Sequence, residues 1–449
     1  MLLTRDKTFY KDFFSLFKII VLQNIIVLGV NLADNIMVGA YSEVSLSGVA
    51  SVNQVQFVFQ QVIMGVGDAL VVMGSQYWGQ KRTNPIKSVG AGAICLGFVF
   101  GLILFVLASV FPHKIVGMFT PSEEIISEGV KYIDIIKYTY ILFALTNVML
   151  ALMRSVETVK IAFVTACIAF CVNCVINYIL IFGKLGFAPM GVRGAAVGTL
   201  ISRIIEFSIV FGYLIFKDKK LKFGLSDIFV NDKILVSDYL KNSVFFIVVA
   251  AMFGTSTALQ AVILGHMNDG AIAANSVAST LYQVLKVASV GASSATAVII
   301  GKTVGSGDMK SLKSYVKTLQ MIFVCIGILT SISLYILRIF ILKAYGLSPE
   351  TTKMANQFIL VLCVTCIGTA YEMPVITGII RGGGDSKFVF INDIISIWCI
   401  VLPLSYLAAF KFKLAPYIVV LCLNSDQIFK CAAAAIKVNR YRWIKKLTR

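Results

Sequence analysis

Charge is scarce in this sequence. Only 14% of its 449 residues are Asp, Glu, Lys or Arg, whereas soluble domains carry about 25%. Hydrophobic residues make up 58% of the chain. This composition excludes an ordinary soluble domain and indicates a polytopic membrane protein.

Histidine is scarcer still, because the whole chain contains only two. Ten cysteines lie mostly inside apolar segments, and Cys171 with Cys174, and Cys363 with Cys366, have the spacing of metal ligands. No histidine accompanies either pair, so we interpret these cysteines as packing residues. We also find no His/Asp metal motif, no nucleophile elbow and no sensor domain. The sequence therefore favours neither an integral-membrane enzyme nor a non-transporting receptor.

A cleavage site typical of secretory signal peptides is missing as well. The first apolar run begins near Phe13 and is longer than the apolar region of a signal peptide, and no A-x-A-like sequence follows it. We therefore expect this run to remain in the protein as its first membrane span.

Long apolar runs dominate what is present. A helix crosses about 30 Å of hydrocarbon with about 20 residues, and the runs are continuous rather than alternating, which excludes a β-barrel. The sequence predicts twelve such helices, at about 13–37, 49–76, 87–110, 124–151, 160–183, 192–216, 238–265, 271–300, 314–338, 351–380, 387–410 and 415–437.

The basic residues predict the orientation of these spans. The net charge is +18, but the basic residues lie between apolar runs rather than on a soluble domain, so we expect no nucleic-acid partner. Most of them occupy the N-terminus, the loops after the even-numbered spans and the tail from Lys430 to Arg449. Because basic loops stay on the cytoplasmic side, both termini are predicted to be cytoplasmic.

The chain also repeats itself. At a shift of 226 residues Gly65 coincides with Gly291, and at a shift of 227 Arg154 coincides with Arg381. Each half contains six spans, an even number, so the two copies point the same way. We predict an all-α integral membrane fold, with two six-helix bundles related by a pseudo-two-fold axis along the membrane normal.

This repeat suggests a division of the chain and a mode of action. Residues 1–216 are expected to form the N-terminal bundle, 217–237 a cytoplasmic linker, and 238–449 the C-terminal bundle with its basic tail. Two bundles of equal orientation suit alternating access, with the substrate path between them near the membrane midplane.

Several motifs resemble those of the multidrug and toxic compound extrusion (MATE) transporters. They are "ADNIMVGAYS" at the end of the first span, "GSQYWGQKR" and its partner "GKTVGSGD", "LMRSVETVKIAF" and its partner "IIRGGGDSKFVF", and "APMGVRGAAVGTLIS" at the start of the sixth. Their order and duplication extend over nearly the whole chain. This resemblance implies a multi-pass exporter in the plasma membrane.

The resemblance further implies secondary active antiport of H⁺ or Na⁺ against amphipathic, often cationic, organic compounds or drugs. The partners expected are a small-molecule substrate and the lipid bilayer, with no cofactor other than the coupling ion and with the monomer as the functional form. A lipid-linked saccharide flippase of the same superfamily is the alternative. Lys286, within an apolar run, supports that alternative because such substrates carry phosphates.

Asp34 is the main candidate for coupling, because an ionised carboxylate is costly in hydrocarbon. In MATE transporters the corresponding Asp is an ion-linked site supported by polar residues of the fifth helix. Here Asn173 and Asn177 are spaced i and i+4 on one helix face, and Thr199 on the sixth helix is a further ligand candidate. We expect H⁺ or Na⁺ at Asp34 and no other metal; a water-facing Asp without a role is the alternative.

The second half lacks the family's acid on the seventh helix, where "AAMFGTSTALQAV" has none. Glu372 on the tenth helix is the expected second coupling residue, and Lys286 is expected to pair with it in at least one transport state. Pro374 is the predicted hinge because proline interrupts helical hydrogen bonding.

The remaining polar residues within apolar runs are candidates for the substrate cavity, although those of the second helix could instead only bond neighbouring helices. Arg203 and Glu206, three residues apart on the sixth helix, are expected to satisfy each other. The cavity candidates are Asn53, Gln56, Gln60, Gln61, Asp68, Lys286 and Tyr371.

Overall fold

The computed structural model describes residues 3–228, 232–265, 267, 269–344 and 348–448, so residues 229–231 of the predicted linker lie outside it. All regular structure within these ranges is helical, and twelve helices are long and apolar enough to cross a membrane. The predicted all-α membrane fold is thus confirmed. The helices are α1 (Lys7–Tyr41), α2 (Glu43–Gly79), α3 (Thr83–Val110), α4 (Glu123–Ser155), α5 (Lys160–Phe182), α6 (Val192–Lys217), α7 (Lys233–Leu264), α8 (Ala274–Ser306), α9 (Met309–Leu342), α10 (Pro349–Ile380), α11 (Ser386–Lys411) and α12 (Pro416–Asn439).

Local sequence explains where several of these helices begin and end. At the start of α10 the Ser348 hydroxyl accepts a hydrogen bond from the backbone N–H of Thr351 over 3.2 Å, and Pro349 occupies the first helical position. Both are favoured at helix N-termini. Helix α5 ends because Gly183 adopts a left-handed conformation with φ of +67°.

One compact unit comprises the described residues within Leu22–Gly74 and Lys81–Ala251. Helix α4 is central to it and packs against α3 and α6, while α5 packs against α6. The core of this unit is apolar and sealed, with side chains that include Ile63, Leu70, Ile133, Val148 and Leu152, each with no exposed surface.

The other compact unit comprises the described residues within Met1–Val21, Ser75–Gln80 and Met252–Arg449. Helix α10 is central to it and packs against α8, α9 and α12. Its core includes Leu281, Phe358, Leu362 and Val419. The boundaries of these units differ from those of the predicted repeat. Residues 1–21 belong to the unit that is built mainly from the second half of the chain, and residues 233–251 belong to the unit that is built mainly from the first half. The repeat boundaries remain a prediction.

Two glycines at matching positions of the repeat make similar contacts. In the first unit a Cβ at Gly65 on α2 would lie 2.9 Å from the Phe246 carbonyl oxygen of α7. In the second unit a Cβ at Gly291 on α8 would collide with the Val21 side chain of α1. Each glycine therefore lets a neighbouring helix approach closely, as small residues do in membrane bundles.

Helices α10 and α12 are both interrupted. From Pro374 to Ile380 the α10 backbone is π-helical, because proline has no N–H to continue the α-helical pattern. Helix α12 breaks at Asn424 and Ser425, whose side chains donate to the carbonyls of Val420 and Cys422 within the preceding turn. The position of Pro374 fits the predicted hinge, although movement there remains a prediction.

The described part of the predicted linker is docked rather than free. Leu221 and Phe223 are buried, with 2% and 1% of their surface exposed. The Lys87 ammonium on α3 forms an ion pair with Asp227 at 2.9 Å and donates to the Lys222 carbonyl at 2.8 Å. These contacts attach residues 221–228 to the N-terminal end of α3.

The C-terminal tail forms a clasp on the glycine-rich loop after α10, and we call residues 440–448 the clasp. Trp443 is fully buried, and its ring lies where a Cβ of Gly383 would be. The Lys445 backbone N–H donates to the Gly383 carbonyl at 2.8 Å, and its ammonium bonds Asp385 at 2.7 Å. The Gln76 side chain donates to the Lys445 carbonyl and accepts from the Leu447 backbone N–H. The motif "RGGGD" therefore forms the surface against which the clasp packs.

Candidate functional site

A polar cavity of about 70 Å³ lies within the first unit, between α1, α2, α4, α5 and α6. A space of this size holds a few water molecules or a hydrated ion. Five helices contribute polar side chains to its wall, among them Asp34, Asn53, Gln56, Tyr132, Asn173, Thr199, Arg203 and Glu206. Three of the predicted coupling residues, Asp34, Asn173 and Thr199, thus line the same cavity.

A chain of hydrogen bonds joins the four coupling residues predicted in the first half. The Asn177 amide donates to Asp34 Oδ1 over 2.6 Å and to Asn173 Oδ1 over 3.2 Å. Asn173 in turn donates to Thr199 Oγ1 over 3.4 Å. Both asparagines are buried, with 1% or less of their surface exposed. The spacing of i and i+4 on α5 places both amides beside the single carboxylate.

The close packing of α5 and α6 fixes Asn177. A Cβ at Gly198 on α6 would overlap Asn177 Oδ1, so only glycine leaves room for this amide. That oxygen is buried and accepts no hydrogen bond from the described residues. A buried amide oxygen without a donor is costly, and here it lies beside a carboxylate whose hydrogen bonding changes with protonation.

Arg203 brings a positive charge into the same cavity. Its guanidinium bonds Glu206 Oε2 at 2.6 Å, which confirms the predicted pair, and it lies 5.1 Å from the centre of the Phe143 ring. Arg203 also acts electrostatically on Asp34. The cavity therefore contains two carboxylates and one permanent cation.

The polar residues of α2 separate into different environments. Asn53 and Gln56 line the cavity, but Gln60 and Gln61 are not among its lining residues. Asp68 lies further along α2 and forms an ion pair with Arg154 of α4 at 3.6 Å. The structure thus associates Asp68 with the last turn of α4 rather than with the cavity around Asp34.

The second unit contains the other predicted charges. The Lys286 ammonium lies over the rings of Phe253 and Tyr282, and it forms no ion pair with Glu372 among the described residues. Glu372 is partly buried and within electrostatic range of Lys286 and Lys430. The pairing of Lys286 with Glu372 in some transport state remains a prediction.

Tyr371, a predicted cavity residue next to Glu372, is engaged elsewhere. Its hydroxyl donates to Gln320 Oε1 of α9 over 2.8 Å. Tyr371 therefore links α10 to α9 in this conformation, and its contact with a substrate remains a prediction.

Lys430, which the orientation count includes with the basic tail, is buried in the second unit. Only 4% of its surface is exposed. Its ammonium lies 2.9 Å from Asp393 and 3.2 Å from Asp426. The spacing of Asp426 and Lys430, i and i+4 inside an apolar run, is the signal that could have identified this pair.

Comparisons with known proteins agree with this architecture. The MatE family model matches residues 20–179 and 246–407, which is most of the chain. The "Probable multidrug resistance protein NorM" of Oceanobacillus iheyensis is 26% identical over 421 residues, covering 91% of this chain and 93% of the relative. The protein of the same name in Thermotoga maritima is 23% identical over 427 residues, with coverage of 94% and 91%.

Structural similarity gives the same fold. The crystal structure of the Vibrio cholerae MATE transporter VcmN in the bent form has a TM-score of 0.85 at 14% identity, covering 96% of this chain and 97% of that one. The relatives of this chain are transporters and not enzymes. The membrane-length helices identify the chain as a multi-pass membrane protein. The chain belongs to the MATE family of multidrug efflux transporters.

Proposed function

We propose that this transporter exports amphipathic, often cationic, organic compounds in exchange for H⁺ or Na⁺, and that Asp34 is its coupling residue. The observation that carries the proposal is the 2.6 Å hydrogen bond from Asn177 to Asp34 beside a polar cavity. A carboxylate in a membrane helix is costly unless it is functional or paired. Here its direct hydrogen-bond partner is a neutral amide, so Asp34 can gain or lose a cation.

The Asn177 amide can satisfy Asp34 in both states. An ionised carboxylate only accepts hydrogen bonds, and the amide nitrogen now donates to it. A protonated carboxyl becomes a donor, and the unbonded Asn177 Oδ1 can accept from it after the amide turns over. Release of the proton or its replacement by Na⁺ would then change the contacts between α1 and α5, which is a route to bending α1.

Na⁺ would use the oxygens of the same network. Asp34, the two asparagine side chains and the Thr199 hydroxyl all offer oxygen atoms at this cavity, and hard cations prefer oxygen ligands. Only Asp34 of these groups carries charge, so H⁺ and Na⁺ would compete for one negative site.

The orientation and the second coupling residue are also proposals. Basic loops on one side support cytoplasmic termini and a plasma-membrane location. Glu372 lies within electrostatic range of Lys286, Lys430, Asp393 and Asp426 in the second unit. We propose that it binds a proton in exchange for a substrate cation. The lipid-linked saccharide flippase is less well supported, because Lys430, the other ammonium close to Glu372, is already neutralised by Asp393 and Asp426.

Transport in proteoliposomes tests the proposal. A pH gradient and a Na⁺ gradient are imposed separately, and uptake of a fluorescent organic cation into the proteoliposomes is followed. Drug uptake driven by one of the two gradients is expected, and none by a K⁺ gradient of equal size. Equal uptake with no gradient at all would contradict ion-coupled export.

A further inference from the structure

The Lys286 ammonium occupies an aromatic cradle in the second unit. Its Nζ atom lies 5.5 Å from the centre of the Phe253 ring on α7 and 5.9 Å from that of Tyr282 on α8. A cation this close to ring faces is attracted by their negative quadrupole, which is also how proteins bind organic ammonium ligands. We call Phe253 and Tyr282 the cradle.

The charges around the cradle attract a cation. Glu372 and Asp426 act on Lys286 attractively, and Lys430 repels it. Lys430 is already held between Asp393 and Asp426. The cluster thus contains three carboxylates and two ammonium groups, so one negative charge remains when all five are ionised.

One wall of the cradle is rigid and the other is open. Tyr282 is 7% exposed, and its hydroxyl is bonded to Thr369 at 2.8 Å and to Gln427 at 3.2 Å. Phe253 is 40% exposed, and Lys286 is only partly buried. A bulky group can therefore reach the ring faces from the side of Phe253 without disturbing the buried wall.

We propose that the cradle and Glu372 form a binding site for the cationic group of an organic ammonium compound, and that Lys286 occupies this site until the cargo displaces it. The proposal rests on the export function, and it adds that Lys286 is a resident competitor for the site. A primary ammonium is strongly hydrated and sits on a flexible stem, so it can withdraw to water. A bulky organic cation has more apolar surface to bury on the same rings.

Binding to the purified protein tests this site without any ion gradient. Benzyltrimethylammonium is titrated into wild type, Lys286→Met and Lys286→Arg in lipid nanodiscs, with isothermal calorimetry as the readout. Methionine removes the charge of Lys286 and keeps a side chain of similar length. The affinity of this variant for benzyltrimethylammonium should therefore rise about tenfold. The arginine variant retains a cation and should show no gain.

A second aromatic residue provides the matched control. Phe253→Leu should weaken binding about tenfold, because the ring is lost. Phe340→Leu on α9 should bind as wild type, because this exposed ring lies outside the cradle. Phe253 is exposed, so its variant does not depend on a change in the core.

Two results would overturn the assignment. One is unchanged binding in Phe253→Leu, which would remove the ring from the site. The other is weaker binding of the cation in Lys286→Met together with loss of binding of a polyprenyl phosphate, which would make Lys286 an anion-binding residue. The titration needs no ion gradient, so failure of ion coupling in proteoliposomes and failure of this site are separate outcomes.

Discussion

Asn177 donates a hydrogen bond to Asp34 over 2.6 Å, although 143 residues separate the two in sequence. Glycine at position 198 leaves the space for this contact, and Asn173 and Thr199 continue it. The arrangement joins α1, α5 and α6 around one carboxylate. It makes the protonation or ion occupancy of Asp34 a local event that three helices experience together.

Asp34→Asn is expected to abolish gradient-driven export while leaving the fold intact. Asparagine has the shape of a protonated aspartate and cannot ionise, so the site stays in one state. The melting temperature should change little, and exchange of substrate across vesicles without a gradient should persist. Wild-type rates of gradient-driven transport in this variant would remove Asp34 from the mechanism.

Gly198→Ala should disable the site by displacing Asn177. The added Cβ overlaps Asn177 Oδ1, and overpacking of this kind costs about 1–3 kcal/mol. The control is Gly212→Ala on the same helix, where a Cβ would meet nothing within 4 Å. Thermal unfolding and transport should both decline in the first variant only; equal behaviour of the two would show that the contact is unimportant.

Lys430→Met should be among the more destabilising single changes in the second unit. Removing one partner of a buried ion pair costs about 3–5 kcal/mol, because the other charges are left uncompensated. Adding Asp393→Asn and Asp426→Asn should recover part of the loss. Lys137→Met provides the comparison, since its partner Asp134 is 53% exposed and surface pairs contribute about 0–1 kcal/mol. Similar melting temperatures for both single variants would contradict this.

The clasp should give the protein a stability that is lost in acid. Burial alone would raise the pKa of Asp385, but hydrogen bonds from Lys445 and Lys437 outweigh it and hold the pKa below its ordinary value. A carboxyl whose pKa is lower in the folded state than in the unfolded state stabilises the folded protein at pH values above the unfolded pKa, which is about 3.9. This contribution is lost as the pH falls through the pKa of the folded state. Asp385→Asn should therefore melt below wild type at pH 7.

Melting curves from pH 7 to pH 3 measure this effect. The difference in melting temperature between wild type and Asp385→Asn should shrink as the pH falls below about 4. Glu124→Gln serves as the control, because Glu124 is exposed in the first turn of α4. A difference that stays constant over the whole range would mean that the ionisation of Asp385 does not hold the clasp.

Cysteine labelling tests the orientation. In a Cys-free variant, Ser226→Cys places an exposed thiol in the docked linker, and Lys184→Cys places one in the loop between α5 and α6. An impermeant thiol reagent applied to intact cells should label position 184 and spare position 226. The reverse pattern would invert the proposed topology.

The sequence predicted the helices better than their ends. The predicted span 160–183 nearly coincides with α5, whereas 13–37 is shorter than α1, which extends from Lys7 to Tyr41. Hydropathy marks only the part of a helix that suits hydrocarbon, and α1 continues beyond it. The break of α12 at Asn424 and Ser425 was not predicted, because two polar residues within an apolar run do not by themselves end a helix.

The part of the site formed by residues on a single helix was predicted from the sequence. The contacts between residues of different helices were predicted less well. The pair of asparagines on α5 follows from their spacing, but the role of Gly198 depends on the packing of α6 against α5. Asp68 and Lys430 have ion-pair partners on other helices, Arg154 and Asp393. Hydropathy and charge counts along a chain contain no information about such pairings.

The exchange of segments between the compact units has a consequence for biosynthesis. The first 21 residues pack with a unit whose main part begins at Met252, and residues 233–251 pack with a unit built mostly from earlier chain. The N-terminal part of α1 can therefore complete its packing only after more than half of the protein has left the ribosome. A chain arrested in translation near the linker would present Phe13, Phe17 and Val21 to the membrane without their neighbours.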